Sequence, residues 1–251
     1  MIRFFIYLVR AFCAILLAIL SMSCQYKIDI KDPVVKELSG NVVTELRNVE
    51  AFEGIKVSQG IEVFISQGAE RKVEVKTDAS VLPLVETNVS NQILRIQLKQ
   101  KSVFKNISKI QVYITNPTYT KIETSSGSSV SSKNDIVGIK ISLTSSSGSS
   151  IEIALEQEEV LAESSSGSQI EISGKALHLQ TDSSSGSEID AKNLYVNEVY
   201  AEASSGSSQK VHPTLWLKAK TSSGGSVYYY KKPNQLEIKE SSGGSVKERK
   251  G

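Results

Sequence analysis

Apolar and polar residues alternate along most of this chain in short bursts, and from about residue 120 the bursts recur in register with one another. Each is punctuated by Ser-Ser-Gly followed by Ser or Gly, a phrase written seven times with its glycine at 127, 148, 167, 186, 206, 224 and 243. Those glycines are 21, 19, 19, 20, 18 and 19 residues apart, and a period so regular marks a solenoid built of stacked coils. Three places after the glycine the column reads Val130, Ile151, Ile170, Ile189, Gln209, Val227, Val246. Seven places before it stand Thr120, Ile141, Val160, Leu179, Val199, Leu217, Leu236, and five before it Ile122, Leu143, Ala162, Thr181, Ala201, Ala219, Ile238. Apolar positions two apart are the period of a strand with one buried face. The expectation is an all-β solenoid with coils of about 19–20 residues, two short inward-facing strands flanking each Ser-Gly corner, and a more variable second corner near Gly174-Lys175 and His212-Pro213. At the strand spacing of about 4.8 Å, seven coils make a stub roughly 34 Å long. An antiparallel meander is the rival arrangement, but it does not require like residues to recur at one offset.

Ahead of the repeats, Ile61, Val63 and Ile65 alternate, as do Val73 and Val75, then Leu94, Ile96 and Leu98, then Ile110, Val112 and Ile114. These read as strands, with loops at Gly68–Glu70 and Asn88–Gln92 and a short helix or turn at Val81–Val85. At the start, Arg3 and Arg10 precede a ten-residue apolar run, Ala11–Leu20, that ends before Ser21-Met22-Ser23-Cys24, the pattern of an export signal. Small residues before a cysteine resemble a bacterial lipoprotein cleavage site, with Cys24 as the lipid-bearing residue, although Ser21 stands where leucine is usual; cleavage at Ser21-Met22-Ser23 without lipid is the alternative. The expected organisation is a signal at 1–23, a tether at 24–45, and one continuous domain made of an N-terminal β part at 46–120 and the repeats with a charged tail at 121–251.

Phe52-Glu53-Gly54-Ile55-Lys56-Val57 running on to Gly60-Ile61-Glu62-Val63, together with Ile114-Thr115-Asn116-Pro117 and the Ser-Gly phrases, resembles the head GIN domain family, whose name is putative autotransporter adhesin. The resemblance covers roughly residues 45 to 246. It implies a right-handed parallel β-helix, exported in Bacteroidetes-like bacteria and placed at the cell envelope as an outer-membrane lipoprotein. It brings no catalytic residues.

Charge narrows the partners. The chain carries 29 basic and 27 acidic residues, and without the signal's two arginines the balance is even, so no broad basic field points to nucleic acid. Cys24 is the only cysteine beyond the signal, which excludes an intrachain disulfide in the mature domain. Four places before the glycine, Glu163, Asp182 and Glu202 form an outward acidic column that could hold a metal ion; Glu152, Glu171 and Asp190 form a second row. Solvated charged faces account for both rows equally well. Outward aromatic residues, Tyr200 and Trp216 on one strand face and Tyr228 and Tyr230 on the other, are candidate ligand contacts, since flat rings stack on sugars. The histidines, His178 and His212, lie far apart in the repeat order, and no arginine occurs between Arg95 and Arg249. No serine has a base and an orienting acid beside it, no cofactor motif is present, and no cofactor is expected. The function expected is therefore a non-enzymatic, adhesin-like surface for a glycan or cell-surface protein, held to the membrane through a lipid anchor. A purely structural envelope protein and a carbohydrate-active enzyme are the alternatives.

Overall fold

In the computed structural model, residues 34–36, 38–99, 102–104 and 109–249 are described. Cys24, the signal and the first part of the tether lie outside them. No helix among the described residues is long and apolar enough to cross a membrane.

The chain forms a β-solenoid of about seven turns. Its strands pair in parallel with like residues side by side: Val160 lies against Ile141 and Leu179, and Ile170 against Ile151 and Ile189. The aliphatic columns fill the interior, where Ile141, Val160, Val199, Leu217, Ile170 and Ile189 are wholly buried.

Each Ser-Gly corner is a two-residue left-handed turn. The second serine and the glycine both have positive φ (54° and 69° at Ser166 and Gly167), and Ser168 N–H donates to Ser165 O at 3.3 Å. Glycine takes this conformation freely, whereas serine does so at a cost of about 1–2 kcal/mol. A ladder along the corner offsets that cost. Gly127 N–H donates to Ser147 O, Gly148 to Ser166, Gly167 to Ser185, Gly186 to Ser205 and Gly206 to Ser223, each at 3.1 Å. The last serine of the phrase turns inward, and its hydroxyl donates to a main-chain carbonyl of the preceding coil, as Ser168 Oγ does to Ser145 O at 2.7 Å.

Two features depart from the sequence reading. Each middle coil is one long strand, such as Ser150–Ser164, Gln169–Ser183 and Glu188–Ala203, and not two short ones. The second corner is thus a bend within a continuous ladder, and residues near 136–139, 155–158, 174–177, 194–197 and 213–215 make a third wall. The uneven repeat lengths are taken up there: Lys192–Leu194 have no partner on the following coil, although Asn193 and Leu194 pair with Ser173 and Gly174 on the preceding one, and Thr214 and Leu215 together face Asn197 alone.

The solenoid also begins earlier than its Ser-Gly phrases. Gly54–Val57 and Glu62–Gln67 stack on Lys121–Thr124 and Ser129–Ser132, joined by a corner in which Gln59 and Gly60 have φ of 65° and 73°. Gly60 N–H donates to Ser126 O, so this corner belongs to the same ladder. Beyond it lie Ile93–Leu98 and Gln111–Asn116, which the antiparallel strands Val85–Ser90 and Lys72–Asp78 close off. The loop expected at Asn88–Gln92 shrinks to a two-residue turn at Asn91-Gln92, and the short helix or turn expected at Val81–Val85 is a 3₁₀ helix, Leu82–Leu84. Val42–Leu46 pairs antiparallel with Lys72–Asp78, so the folded body reaches back into the stretch read as tether. Asp78 fastens this edge. Its buried carboxylate accepts hydrogen bonds from the Ser39, Gly40 and Ser80 amides and from both serine hydroxyls. The Ser80 hydroxyl contributes most to holding its pKa far below the usual aspartate range.

Candidate functional site

The three walls carry different chemistry. On the wall that precedes each Ser-Gly corner, Glu163, Asp182 and Glu202 stand side by side on consecutive coils. Glu202 is already engaged: Lys220 Nζ lies 2.8 Å away, and the Tyr200 hydroxyl donates to it. The bond from Lys220, then that from Tyr200, draws the Glu202 pKa down. Asp182 moves the other way, lifted first by partial desolvation and then by the negative charge of Glu202. Farther along this column Lys56 and Lys121 hold Glu123 at 2.7 and 2.5 Å. The column is thus a run of acids closed by lysines at both ends, with Glu163 and Asp182 at its centre. Among the described residues, no group of three or more His, Cys, Asp or Glu is arranged to hold a metal ion. The second acidic row runs Glu152, Glu171, Asp190 and is closed by lysines, with Lys192 and Lys210 each 3.0 Å from Asp190.

The four aromatic candidates do not form one platform. Lys220 lies over the Tyr200 ring, 4.9 Å from its centre, and also donates to its hydroxyl. On the opposite wall Arg249 covers Tyr228 at 4.4 Å, and Tyr230 is half-buried two residues on. Trp216 is the most open of them in its surroundings, lining a hollow with Leu215, Glu198, Asn234 and Gln235.

The third wall was not anticipated. Of the nine large apolar side chains exposed among the described residues, five stand on it: Val137, Ile139, Leu177, Tyr195 and Leu215. Val137 and Tyr195 belong to one outward column, Val137–Glu156–Lys175–Tyr195. Between them runs an open groove of about 500 Å³ lined also by Gly138, Gln157, Glu158, Asn197 and Thr214. Tyr195 rests one edge of its ring against His212, 4.7 Å between centres, and keeps 57% of its surface exposed. Gln157 is buried at the groove floor, 4% exposed, its Nε2 donating to Ile136 O at 2.9 Å. Its Oε1 has no partner among the described residues. Exposed leucine and tyrosine gathered on one outward wall mark a surface that something covers. The alternation of the third wall was visible in the sequence, but register shifts move its columns off a constant distance from the glycine.

As a class, the molecule is an all-β solenoid whose outward walls carry the chemistry described above. The chain belongs to the family described as putative auto-transporter adhesin, head GIN domain, whose model matches residues 51–233. Its fold is that of a putative adhesin from Bacteroides fragilis, at a TM-score of 0.79 and 18% identity over 84% of this chain and 98% of that one. A putative adhesin from Parabacteroides distasonis is similar at 0.70 and 21%, over 84% and 98% of the two chains. A protein from the same species named as a putative lipid binding protein is similar at 0.68 and 14%, over 85% and 98%. These likenesses are of fold. No curated protein matches the sequence.

Proposed function

We propose that the chain is an exported, non-enzymatic, adhesin-like module of the cell envelope that engages a glycan or protein partner on an outward wall and is held at the outer membrane by lipid on Cys24. The observation that carries this reading is the concentration of five exposed apolar side chains on the outward third wall, while among the described residues inward apolar side chains are exposed only in the last coil, at Leu236 and Ile238. Family membership supports the adhesin-like, non-enzymatic role. The test is a screen of the chain against immobilised cell-surface glycans and matrix proteins, repeated with Tyr195→Ala plus Leu177→Ala and with Tyr200→Ala plus Trp216→Ala. Loss with the first pair places the ligand on the third wall. Loss with the second moves it to the neighbouring face, and an empty screen favours a purely structural role. Cys24→Ser should release the protein from the membrane fraction; an unmodified Cys24 in the mature protein would refute the anchor.

A further inference from the structure

We infer that the groove of the third wall takes an uncharged, hydroxyl-rich glycan chain lying along the stack; the inference rests on the binding role proposed above and names its ligand class. The groove crosses the coils that contain Val137, Gln157, Leu177, Tyr195 and Thr214, so its long axis follows the stack. Over four coil-to-coil steps it runs roughly 19 Å. That shape suits an extended chain and not a compact ligand.

The polar lining decides between chain chemistries. Glu156 and Glu158 supply two carboxylates and Asn197 an amide oxygen that already accepts from the Thr214 hydroxyl at 3.1 Å, while Gln157 Oε1 is sealed in the floor beneath them. Lys175 is the single cation among them. Acceptors outnumber donors, so the ligand must bring donors. An acyl chain has none and would leave the carboxylates desolvated. An anionic chain would meet the two lining acids, with Glu159 and Glu198 close behind on the same strands. A peptide has N–H donors, but its usual hold on a sheet is main-chain pairing at an exposed edge. Here the backbone is already paired on both sides, since Gln157 is flanked by Gly138 and Ala176, and Ala176 in turn by Val196. Sugar rings answer both halves of the groove, with apolar faces for Tyr195 and Leu177 and hydroxyls for the acceptors.

Gly138 fits the same reading. Gly138 lines the groove, and a Cβ built there would stand 3.0 Å from Gln157 Oε1, so any side chain at 138 would crowd the floor and narrow the groove above it.

The experiment measures binding of the full chain to cellohexaose, mannohexaose and a wider array of neutral oligosaccharides. Hexagalacturonate and a mixed apolar–basic twelve-residue peptide serve as the other arms. Tyr195→Ala, Tyr195→Phe and Gly138→Ala are compared with wild type, and circular dichroism confirms the fold of each. A neutral chain should bind; Tyr195→Ala and Gly138→Ala should each weaken it by roughly tenfold, and Tyr195→Phe should retain it. Hexagalacturonate should not bind. Tyr195-dependent binding of the peptide or of hexagalacturonate, with no neutral chain bound at millimolar concentration, would overturn the glycan class while leaving the wall as the docking surface. Neutral-chain binding that survives Tyr195→Ala and Gly138→Ala would overturn the groove itself.

Discussion

Replacing Gly174 by alanine tests the stacked coils where they are tightest. Its φ of +111° lies where residues with a side chain are strained, and a Cβ there would sit 2.0 Å from the carbonyl oxygen of Leu155 on the adjacent coil. The backbone conformation alone costs about 1–3 kcal/mol. The clash falls on backbone, so no side chain can turn aside. The two strands must part where Gly174 lies opposite Leu155, which weakens one or two ladder hydrogen bonds at about 1 kcal/mol each. The expected loss is about 2–5 kcal/mol. Gly167→Ala is the control: φ there is +69° and nothing lies within 4 Å of the added carbon, so only the left-handed cost of about 1–2 kcal/mol applies. Chemical denaturation followed by circular dichroism gives both values from the midpoints and slopes. Coils couple to their neighbours, so the Gly174 variant should also lose cooperativity and lower the slope. Equal losses at the two glycines, or a Gly174→Ala loss below about 1 kcal/mol, would refute the close approach of these coils.

Three further outcomes follow from the same structure. The Asp78 carboxylate has a folded pKa held far below its ordinary value of 3.8, so the stability it confers is present above pH 4 and is lost as pH falls through the depressed value. Asp78→Asn should therefore speed hydrogen exchange in Val42–Leu46 at neutral pH, and a variant as protected as wild type there would contradict this. Buried Gln209 accepts from Thr181 Oγ1 at 2.6 Å and donates to Ser183 Oγ and Glu202 O, so Gln209→Leu should cost about 2–4 kcal/mol in denaturation despite its added apolarity. Glu240 and Glu248 take inward columns beside Thr221 and Tyr229, where a charge deters another coil from stacking. Glu240→Thr combined with Glu248→Val should promote self-association in sedimentation, and an unchanged monomer would argue that these acids do not guard the edge.

The repeat was legible because its signal is redundant. A buried column at one offset from a glycine is written seven times, and single departures such as Gln209 do not hide it. Where the chain expresses the same geometry once, the signal fades: the Gln59-Gly60 corner has the backbone of the others, but glutamine replaces serine and 67 residues separate its glycine from the next. The intervening antiparallel strands were readable as strands, yet alternation is the same for parallel and antiparallel pairs, so their capping role was not.

The binding wall was hidden for a different physical reason. Outward positions carry no packing constraint, so Val137, Glu156, Lys175 and Tyr195 share a column without resembling one another. Their alignment also depends on a one-residue bulge in which Ala191 and Lys192 face Ile172 alone, which shifts Tyr195 relative to its glycine. The aromatic search chose Tyr200 by its spacing, but spacing shows only that a ring faces out. Lys220 and Glu202 then occupy that ring, whereas Tyr195 faces a groove with one side of its ring free. What distinguishes the two tyrosines is the neighbouring coil and not their own sequence, so a repeat protein can declare its scaffold plainly and keep its site unreadable until the coils are stacked.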